Sequence, residues 1–525
     1  MTNVSVTYPM QYLQARLSRV CVAITGNTPQ EMLERAAEAV RENTFFEFRL
    51  DYLPKPLLFL PKLKQFLEER REVTAIATCR RAANGGKFKG TIAAEIEVLG
   101  KAAAAGCQIV DVELQTASSI KATGINKLRE KGAAILISYH DFAATRDLEK
   151  VYARVRPFAP EFIKIVSTAK SLTDNLTMMR FLEDKQDESR LIGLCMGEQG
   201  TISRVLGLRA GSVFTFAAAS VGEETGEGQI TARTLREIYR IDQVDAATKV
   251  YGVAGQPVQH SLSPLMMNTA FRRETVNAVF LALQTAKVTD LVRLMAEVPL
   301  HGAAITMPLK QEIMKHLDRT DALSAKIGAC NTVVRALDGK LIGYNTDVLG
   351  VVRPLEQRMA LRGARVLVLG AGGAARAAVY GLLDKGAEVF LLNRTPQTAQ
   401  KLARESGAKV MRRDQMGKSS FDVLVNATPV GMAGNKQQSI LEESMLNARI
   451  VFDMVYDPME TPLLRMARQK GLQVITGAEM FVYQGAEQFQ LWTGKPAPRE
   501  EMWRAVTHAL RQAADKKIEK QENLR

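Results

Sequence analysis

Short hydrophobic runs alternate with amphipathic stretches through the first part of the chain, and this alternation predicts strands that are each followed by a helix. The strand candidates lie at residues 20–26, 45–53, 73–80, 109–114, 134–140, 162–168, 191–197 and 213–219. Stretches such as 29–42 and 92–105 between them carry a helical pattern. About eight strand–helix units in roughly 230 residues are typical of a (β/α)8 barrel.

Polar residues interrupt these apolar runs where a barrel of this type carries its functional side chains, toward the C-terminal ends of the strands and in the loops that follow. They are Glu47, Arg49, Arg80, Glu113, His140, Lys164, Arg204 and Gln229. Lys164 is the most informative of them, because it lies inside the apolar run 162–166. Burial disfavours an ammonium group, and a neutral amine can attack a ketone to form a Schiff base. A lysine that reaches into water from a strand edge is the alternative.

A lysine, a histidine and several arginines at one barrel mouth predict imine chemistry on an anionic carbonyl compound. The motifs that carry them are Glu47-Phe48-Arg49-Leu50-Asp51, Thr78-Cys79-Arg80, Ser138-Tyr139-His140-Asp141-Phe142, Ile163-Lys164 and Ile202-Ser203-Arg204. In order and spacing, residues 18–240 resemble type I 3-dehydroquinate dehydratase.

The resemblance implies a role for each matching residue. Lys164 would form an imine with the ketone of 3-dehydroquinate, and His140 would act as general base and then as acid to the departing hydroxyl. Arg204 would bind the substrate carboxylate. The residues that would position the hydroxyls are Glu47, Arg49, Arg80, Thr225, which stands where serine is common, and Gln229.

Asn84 departs from the pattern of this family. Many members carry a glutamate at this place, just after the Thr-x-Arg motif, and that glutamate is hydrogen-bonded to the histidine. An asparagine forms hydrogen bonds but carries no negative charge. The sequence therefore predicts altered tuning of His140.

A second domain begins after a predicted helix at 232–239 and a polar stretch at 242–249, with a strand at 250–254. Further on, a strand runs into a helix through Gly370, Ala371, Gly372, Gly373 and Ala374, which fits G-x-G-x-x-G/A with Ala375 in the third position. Glycines there let the backbone approach a pyrophosphate at the helix N-terminus. An ordinary glycine-rich turn is the alternative.

The strand at 388–392 ends in Asn393-Arg394-Thr395. An NAD site carries Asp or Glu at this place to bind the ribose 2′-hydroxyl, whereas an arginine accommodates a 2′-phosphate. The sequence therefore predicts NADP, with NADPH as the hydride donor and no metal.

Six further motifs surround this fingerprint. They are Ser261-Leu262-Ser263-Pro264, Thr306-Met307-Pro308-Leu309-Lys310, Cys330-Asn331-Thr332, Asn345-Thr346-Asp347, Asn426-Ala427-Thr428-Pro429-Val430-Gly431-Met432 and Met480-Phe481-Val482-Tyr483-Gln484-Gly485-Ala486. Together they resemble shikimate dehydrogenase over residues 248–515.

This second resemblance also assigns residues. It implies that Ser261 and Ser263 bind the substrate carboxylate and that Lys310 and Asp347 are the catalytic pair. The remaining assignments are Thr306, Asn331 and Gln484 to ring hydroxyls, and Met432, Tyr456 and Gly477 to the cofactor, the first two on the nicotinamide side.

The predicted fold class is α/β, with a (β/α)8 barrel followed by a two-lobed α/β dehydrogenase that contains a Rossmann domain. The predicted domains are a barrel at 1–240, a substrate-binding α/β domain at 248–350, an NADP-binding Rossmann domain at 351–490, and helices with a charged tail at 491–525 that return to the substrate domain.

Composition limits the other function classes. The net charge of +14 is spread along the chain without a basic–aromatic run, so we expect small-molecule partners and no nucleic acid. No apolar run approaches the roughly 20 residues of a membrane span. Five scattered cysteines, and little chain before the first predicted strand, favour the cytoplasm.

The two resemblances correspond to consecutive reactions, from 3-dehydroquinate to 3-dehydroshikimate and on to shikimate. One alternative is a second half that acts on quinate, although Ser261 and Ser263 favour shikimate because the bulkier quinate needs more room. Another is a metabolite-sensing regulatory or scaffold protein. Lys164 and His140 argue against a sensor, which needs no imine-forming amine.

Overall fold

The structure is a computed structural model that describes residues 10–298, 300–432 and 438–522. The chain divides into two compact units. The first ends at Thr248 and the second begins at Lys249, and the short segment Leu283–Thr285 is grouped with the first.

The first unit is built on eight parallel strands. They are β1 (Val20–Ile24), β2 (Phe45–Arg49), β3 (Thr74–Thr78), β4 (Ile109–Glu113), β5 (Ala134–His140), β6 (Phe162–Thr168), β7 (Leu191–Met196) and β8 (Thr215–Ala218). The sheet order is β7-β6-β5-β4-β3-β2-β1-β8, and the Val213 amide donates to the Leu191 carbonyl between the two end strands. This arrangement nearly closes a barrel and confirms the predicted fold of this region.

One helix of the first unit precedes β1, and the others follow strands of the barrel. They are α1 (Met10–Arg16), α2 (Pro29–Ala39), α3 (Leu60–Glu69), α4 (Ile92–Ala104), α5 (Leu114–Arg129), α6 (Leu148–Val155), α7 (Leu172–Lys185), α8 (Thr201–Leu206) and α9 (Ala232–Glu237). The Thr28 and Thr91 hydroxyls accept backbone N–H groups at the starts of α2 and α4, which fixes where these helices begin.

Apolar side chains fill the N-terminal end of the barrel. Phe45, Phe162 and Phe214 pack together there, with the ring of Phe214 lying 4.9 Å from that of Phe45 between centroids. Leu13 of α1 belongs to the same cluster. Because this end is closed by aromatic packing, the polar side chains of the barrel interior face the other end, where the strands terminate.

The second unit contains two sheets. The first has the order β10-β9-β11-β13-β14-β12 and is mixed, whereas the second has the order β17-β16-β15-β18-β19-β20 and is parallel. The strands are β9 (Lys249–Gly255), β10 (Ala278–Gln284), β11 (Leu300–Ile305), β12 (Arg319–Thr320), β13 (Thr332–Arg335), β14 (Leu341–Tyr344), β15 (Arg365–Leu369), β16 (Glu388–Leu392), β17 (Lys409–Val410), β18 (Phe421–Asn426), β19 (Ala448–Asp453) and β20 (Gln473–Ile475). The parallel order, with β15 in its centre, is that of a dinucleotide-binding fold.

Nine helices lie among the described residues of this unit. They are α10 (Ser263–Arg273), α11 (Val288–Glu297), α12 (Ala322–Ile327), α13 (Asp347–Glu356), α14 (Gly373–Asp384), α15 (Pro396–Ser406), α16 (Pro462–Gln469), α17 (Gly477–Thr493) and α18 (Arg499–Glu522). Phe489 and Trp492 of α17 and Met502 of α18 share one buried cluster with Tyr251 of β9. The last two helices therefore pack on the first sheet, which is the sheet that carries the predicted substrate residues.

Candidate active sites

Lys164 lies on β6 with its side chain inside the barrel, and only 4% of the residue is exposed. Its Nζ is 3.4 Å from Glu47 Oε1 and 3.6 Å from Asp111 Oδ2, and it lies 3.6 Å from the centre of the Phe216 ring. The alternative of a lysine at a water-exposed strand edge is therefore wrong. The two carboxylates stabilise a positive charge on the nitrogen, which partly offsets the cost of burial.

The carboxylates beside Lys164 are themselves held by neighbouring strands. Glu47 on β2 accepts the Thr78 hydroxyl at 2.8 Å, and Asp111 on β4 accepts from Arg80 Nη2 at 2.8 Å. Burial alone would raise the pKa of Glu47, but Lys164 and two arginines outweigh it and lower that pKa to about 2. Glu47 therefore carries negative charge near the amine at neutral pH.

Asp111 is a functional candidate that sequence reasoning missed. The run Ile109-Val110-Asp111-Val112-Glu113 alternates, so Asp111 and Glu113 share one face of β4 and point into the barrel. Two acids on the inward face of an otherwise apolar strand were the available signal.

His140 ends β5, one strand from Lys164, and its Nδ1 lies 3.0 Å from Glu113 Oε2. A carboxylate at Nδ1 is an acceptor, so Nδ1 carries the hydrogen and the lone pair remains on Nε2. Burial, and then the positive charge of Arg80, lower the pKa of His140, while Glu113 raises it. The net lowering leaves a neutral imidazole at pH 7, which is the form a general base needs.

The carboxylate beside His140 comes from another strand than Asn84, and altered tuning of His140 by Asn84 stays a prediction. Asn84 Nδ2 donates to Gln115 Oε1 at 2.9 Å, whereas the charge next to His140 comes from Glu113. The contact between Glu113 and His140 joins two different strands, and such a contact is not visible in a single sequence motif.

Arg204 on α8 is the buried cation that lacks an anion. It is 3% exposed, its Nη2 donates to the Glu227 carbonyl at 3.1 Å, and its Nε has no partner. Within the part of the chain that the structure describes, no carboxylate pairs with it. Burial lowers the pKa of Arg204 to about 10. A guanidinium in this condition is suited to bind the carboxylate of a ligand.

The other predicted residues of this site are engaged with protein groups. Arg49 pairs with Asp51 through two bonds, Nε–Oδ1 at 2.9 Å and Nη2–Oδ2 at 2.8 Å. Gln229 Oε1 accepts both the amide and the hydroxyl of Thr225, at 2.7 Å and 3.2 Å, in the segment after β8. These contacts fix the orientation of the Arg49 and Gln229 side chains.

In the second unit, Lys310 Nζ lies 2.5 Å from Asp347 Oδ2, the first residue of α13. The other carboxylate oxygen of Asp347 accepts from Asn331 Nδ2 at 2.8 Å. Lys310 is partly exposed and Asp347 is buried. The two residues that the sequence predicts as a pair therefore meet in the structure, and the Lys310 side chain is partly exposed.

Asn331 is the centre of the surrounding hydrogen-bond network. Its Oδ1 accepts the Thr346 amide at 2.8 Å and the Thr332 hydroxyl at 2.8 Å, and its Nδ2 lies 3.4 Å from Gln484 Oε1. Ser263 begins α10, and its amide donates to the Ser261 hydroxyl at 3.2 Å. Thr306 follows β11, close to Lys310 along the chain.

The glycine fingerprint lies between β15 and α14, and its three glycines differ in their surroundings. Gly370 has φ +114°, a conformation that favours glycine. A Cβ at Gly372 would meet no atom within 4 Å, whereas one at Gly373 would lie 3.6 Å from Lys310 Cδ. The loop is therefore open at Gly372 and adjoins Lys310 at Gly373, and its open backbone suits a pyrophosphate.

Arg394 follows β16 and is exposed, and it has no hydrogen bond or ion pair with any described residue. The neighbouring Asn393 donates to the Thr395 carbonyl at 3.0 Å, which fixes the turn. A free guanidinium at the end of the second strand of this fold is placed to bind a 2′-phosphate.

A buried network that sequence reasoning missed lies close along the chain to Tyr456, one of the predicted cofactor residues. Asp453 ends β19 and accepts from Asn426 Nδ2 at 2.9 Å and from the Thr461 hydroxyl at 2.6 Å, and burial raises its pKa to about 6. Three residues on, Tyr456 stacks on Phe481 of α17 with 4.9 Å between ring centres. Met432 is 39% exposed, and Gly477 begins α17.

Four family models match the chain. The model of type I 3-dehydroquinase matches residues 20–246, and that of the shikimate dehydrogenase substrate binding domain matches residues 253–333. The model of shikimate / quinate 5-dehydrogenase matches residues 355–454, and that of the shikimate 5′-dehydrogenase C-terminal domain matches residues 477–507. No helix among the described residues is long and apolar enough to cross a membrane.

The chain is also similar to named proteins. It is 32% identical over 513 residues to the chloroplastic bifunctional 3-dehydroquinate dehydratase/shikimate dehydrogenase of Arabidopsis thaliana, covering 93% of this chain and 84% of that protein. It is 40% identical over 276 residues to the shikimate dehydrogenase (NADP(+)) of Pyrococcus furiosus, covering 51% of this chain and 99% of that protein. Shikimate 5-dehydrogenase from Thermus thermophilus, solved with NADP(H) and shikimate, has 37% identity and a TM-score of 0.47, covering 50% of this chain and 100% of that one. Both sequence resemblances are confirmed, and the chain belongs to the family of bifunctional 3-dehydroquinate dehydratase/shikimate dehydrogenases.

Proposed function

We propose that the first unit dehydrates 3-dehydroquinate to 3-dehydroshikimate, and that the second unit reduces this product to shikimate with NADPH. The observation that carries the proposal is the amine of Lys164, buried in a barrel mouth beside two carboxylates and one strand from a neutral histidine. A buried lysine in this setting has a chemical use in forming an imine.

In the dehydratase site, the Lys164 amine attacks the substrate ketone and water leaves, which gives a positively charged iminium. The iminium withdraws electrons and acidifies the neighbouring C–H bond, so that His140 Nε2 can remove the proton. His140 then returns a proton to the departing hydroxyl, and hydrolysis frees Lys164. Arg204 binds the substrate carboxylate, while Glu47, Arg49, Arg80, Thr225 and Gln229 orient the hydroxyls.

In the dehydrogenase site, Lys310 and Asp347 hold a proton at the substrate carbonyl oxygen, where negative charge develops during reduction. Ser261 and Ser263 bind the carboxylate, and Thr306, Asn331 and Gln484 bind ring hydroxyls. NADPH supplies the hydride when bound. Residues 370–374 would hold its pyrophosphate and Arg394 its 2′-phosphate, with Asn393 and Thr395 shaping that turn. Met432, Tyr456 and Gly477 would line the nicotinamide side of the site.

We also propose the domain limits of 1–240, 248–350, 351–490 and 491–525, and the cytoplasm as the compartment. Five buried cysteines without a disulfide among the described residues support a reducing environment. The relative from Arabidopsis thaliana is named as chloroplastic, so the compartment of this chain needs its own measurement, by fractionation.

The test is product identity after incubating the whole chain with 3-dehydroquinate and NADPH. Lys164→Ala is the variant, and Lys170→Ala, an exposed lysine two residues beyond β6, is the matched control. We expect shikimate from the wild type and the control, and none from Lys164→Ala. Quinate from Lys164→Ala would mean that the second unit reduces 3-dehydroquinate directly, and no product from any protein would support the sensor or scaffold alternative.

Borohydride trapping tests the covalent step separately. Borohydride added with 3-dehydroquinate reduces an imine to a stable amine, so the Lys164 peptide should gain the mass of the reduced adduct. Recovery of an unmodified Lys164 peptide from an active enzyme would exclude the Schiff base.

A further inference from the structure

Glu113 makes five contacts, and three of them go to His140, whose Nδ1 also lies 3.3 Å from Glu113 Oε1. Its Oε2 lies 3.0 Å from His140 Nδ1, and its Oε1 lies 3.2 Å from the His140 amide. The Ser138 hydroxyl donates to Oε2 at 2.9 Å, and Arg80 Nε lies 3.3 Å from the same oxygen. The residue is 5% exposed.

We propose that Glu113 is the positioning residue of the dehydratase site: it accepts the Nδ1 hydrogen of His140, fixes the ring tautomer and orientation, and thereby leaves Nε2 as the base. The inference rests on the proposed roles of Lys164 and His140. Glu113 touches neither Lys164 nor open space in the contacts above, so it acts through the histidine.

The alternative is that Glu113 serves mainly as the counter-ion of Arg80. Arg80 already has a partner in Asp111, at 2.8 Å through Nη2, and its distance to Glu113 is longer. The Ser138 hydroxyl uses one lone pair of Oε2 and directs the remaining acceptor capacity toward the ring nitrogen. The geometry therefore favours His140 as the group that Glu113 orients.

The negative charge of Glu113 should affect the pH at which His140 is protonated. The charged groups around His140 are Glu113 from β4, Arg80 after β3 and Lys164 from β6. The two cations disfavour the imidazolium, and Glu113 is the group among them that favours it. Without the charge of Glu113, His140 loses its proton at lower pH.

The experiment measures kcat and KM of the dehydratase half-reaction against pH, by the absorbance of the conjugated enone formed without NADPH. The profile of kcat reports groups in the enzyme–substrate complex, where Lys164 is held in the imine. Glu113→Gln keeps an acceptor for Nδ1 but removes the charge, and Glu113→Ala removes both. Asn84→Ala is the matched control, because Asn84 bonds Gln115 instead.

For Glu113→Gln we expect the acidic limb of the kcat profile to move about one pH unit lower. We expect kcat to fall about 10-fold in Glu113→Gln and about 100-fold in Glu113→Ala, with KM nearly unchanged, since a residue that orients a general base affects the proton transfer rather than binding. In Asn84→Ala, the acidic limb of the kcat profile should stay at the wild-type pH.

Three results would overturn the proposal. An unmoved limb with unchanged kcat in both Glu113 variants would exclude the positioning role while leaving the dehydratase function intact. A rise in KM alone in the Glu113 variants would mean that Glu113 serves as the counter-ion of Arg80 and supports substrate binding. Lack of enone formation and of a borohydride adduct in the wild type would remove the dehydratase function itself, and the inference with it. The ring 15N shifts of His140 in Glu113→Gln give a reading that does not depend on turnover.

Discussion

The buried charge of Arg204 should destabilise the folded barrel, although the same charge is proposed to bind the substrate carboxylate. Burial lowers the pKa of Arg204 to about 10, and the guanidinium has no carboxylate partner among the described residues. A lowering of this size corresponds to a penalty of roughly 3 kcal/mol on the charged form. The penalty is present at neutral pH, where Arg204 is charged in both folded and unfolded chains, and it is relieved only as the pH rises through about 10.

We therefore expect Arg204→Met to raise the free energy of unfolding of the barrel by about 1–2 kcal/mol. The gain is smaller than the full penalty because the hydrogen bond to the Glu227 carbonyl, worth about 1 kcal/mol, is lost. The same variant should raise KM for 3-dehydroquinate at least about 100-fold, because a charge-assisted bidentate contact to the substrate carboxylate disappears.

The assay can separate the two units. Both tryptophans, Trp492 and Trp503, lie in the second unit, whereas four of the five cysteines are buried in the barrel. Thiol labelling in increasing urea therefore follows the barrel, and tryptophan fluorescence follows the second unit and should not change.

Arg49→Met is the matched control, because Arg49 is equally buried but paired with Asp51 at 2.8 Å. Loss of the Arg49 guanidinium leaves the buried carboxylate of Asp51 without its counter-ion, which should destabilise the barrel by about 3–5 kcal/mol. Opposite signs for the two variants are the expected result. If Arg204→Met lowers the labelling midpoint as Arg49→Met does, the argument from the unpaired charge is refuted.

Three further predictions concern the second unit. Gly372→Ala should leave the unfolding midpoint unchanged, since its Cβ meets no atom, but should raise KM for NADPH at least about 10-fold because the methyl group enters the space for the pyrophosphate; an unchanged KM would place the cofactor elsewhere. Arg394→Ala should raise KM for NADPH about 10- to 100-fold and leave KM for NADH unchanged, and equal losses would remove the 2′-phosphate assignment. Asp347→Asn should lower kcat of shikimate oxidation at least about 100-fold with a small change in KM, whereas a rise in KM alone would make Asp347 a binding residue.

The strands were predictable where an apolar run has clear polar limits. The predictions for 134–140, 162–168 and 388–392 match β5, β6 and β16 residue for residue. The prediction for 45–53 is wrong at its end, because the chain turns at Leu50–Tyr52 into a 3-10 helix after Arg49. Apolar Leu50 and Leu53 are buried in that turn, and burial alone does not distinguish a strand from a turn.

The site was predictable only as a set of residues and not as a set of contacts. Motif order identified Lys164 and His140, but their carboxylate neighbours Asp111 and Glu113 come from β4 and meet them through the pairing of adjacent strands. Such pairing depends on the register of the closed sheet, which no local pattern encodes. The contact between Glu113 and His140 is therefore visible in the structure and not in the sequence.

The two proposed catalytic lysines differ in their burial and in the distance to their carboxylate neighbours, and these differences suit different chemical roles. Lys310 is partly exposed and lies 2.5 Å from Asp347, a geometry that orients its nitrogen as a donor toward an oxygen that gains negative charge beside it. Lys164 is nearly inaccessible, and its carboxylates lie at 3.4 Å and 3.6 Å, beyond a short charge-assisted bond. At that separation the carboxylates act on the nitrogen mainly through their electric field, which stabilises a positive charge there. The iminium formed from Lys164 keeps the same charge at the same place, and Glu47 and Asp111 therefore stabilise the intermediate as well as the resting amine.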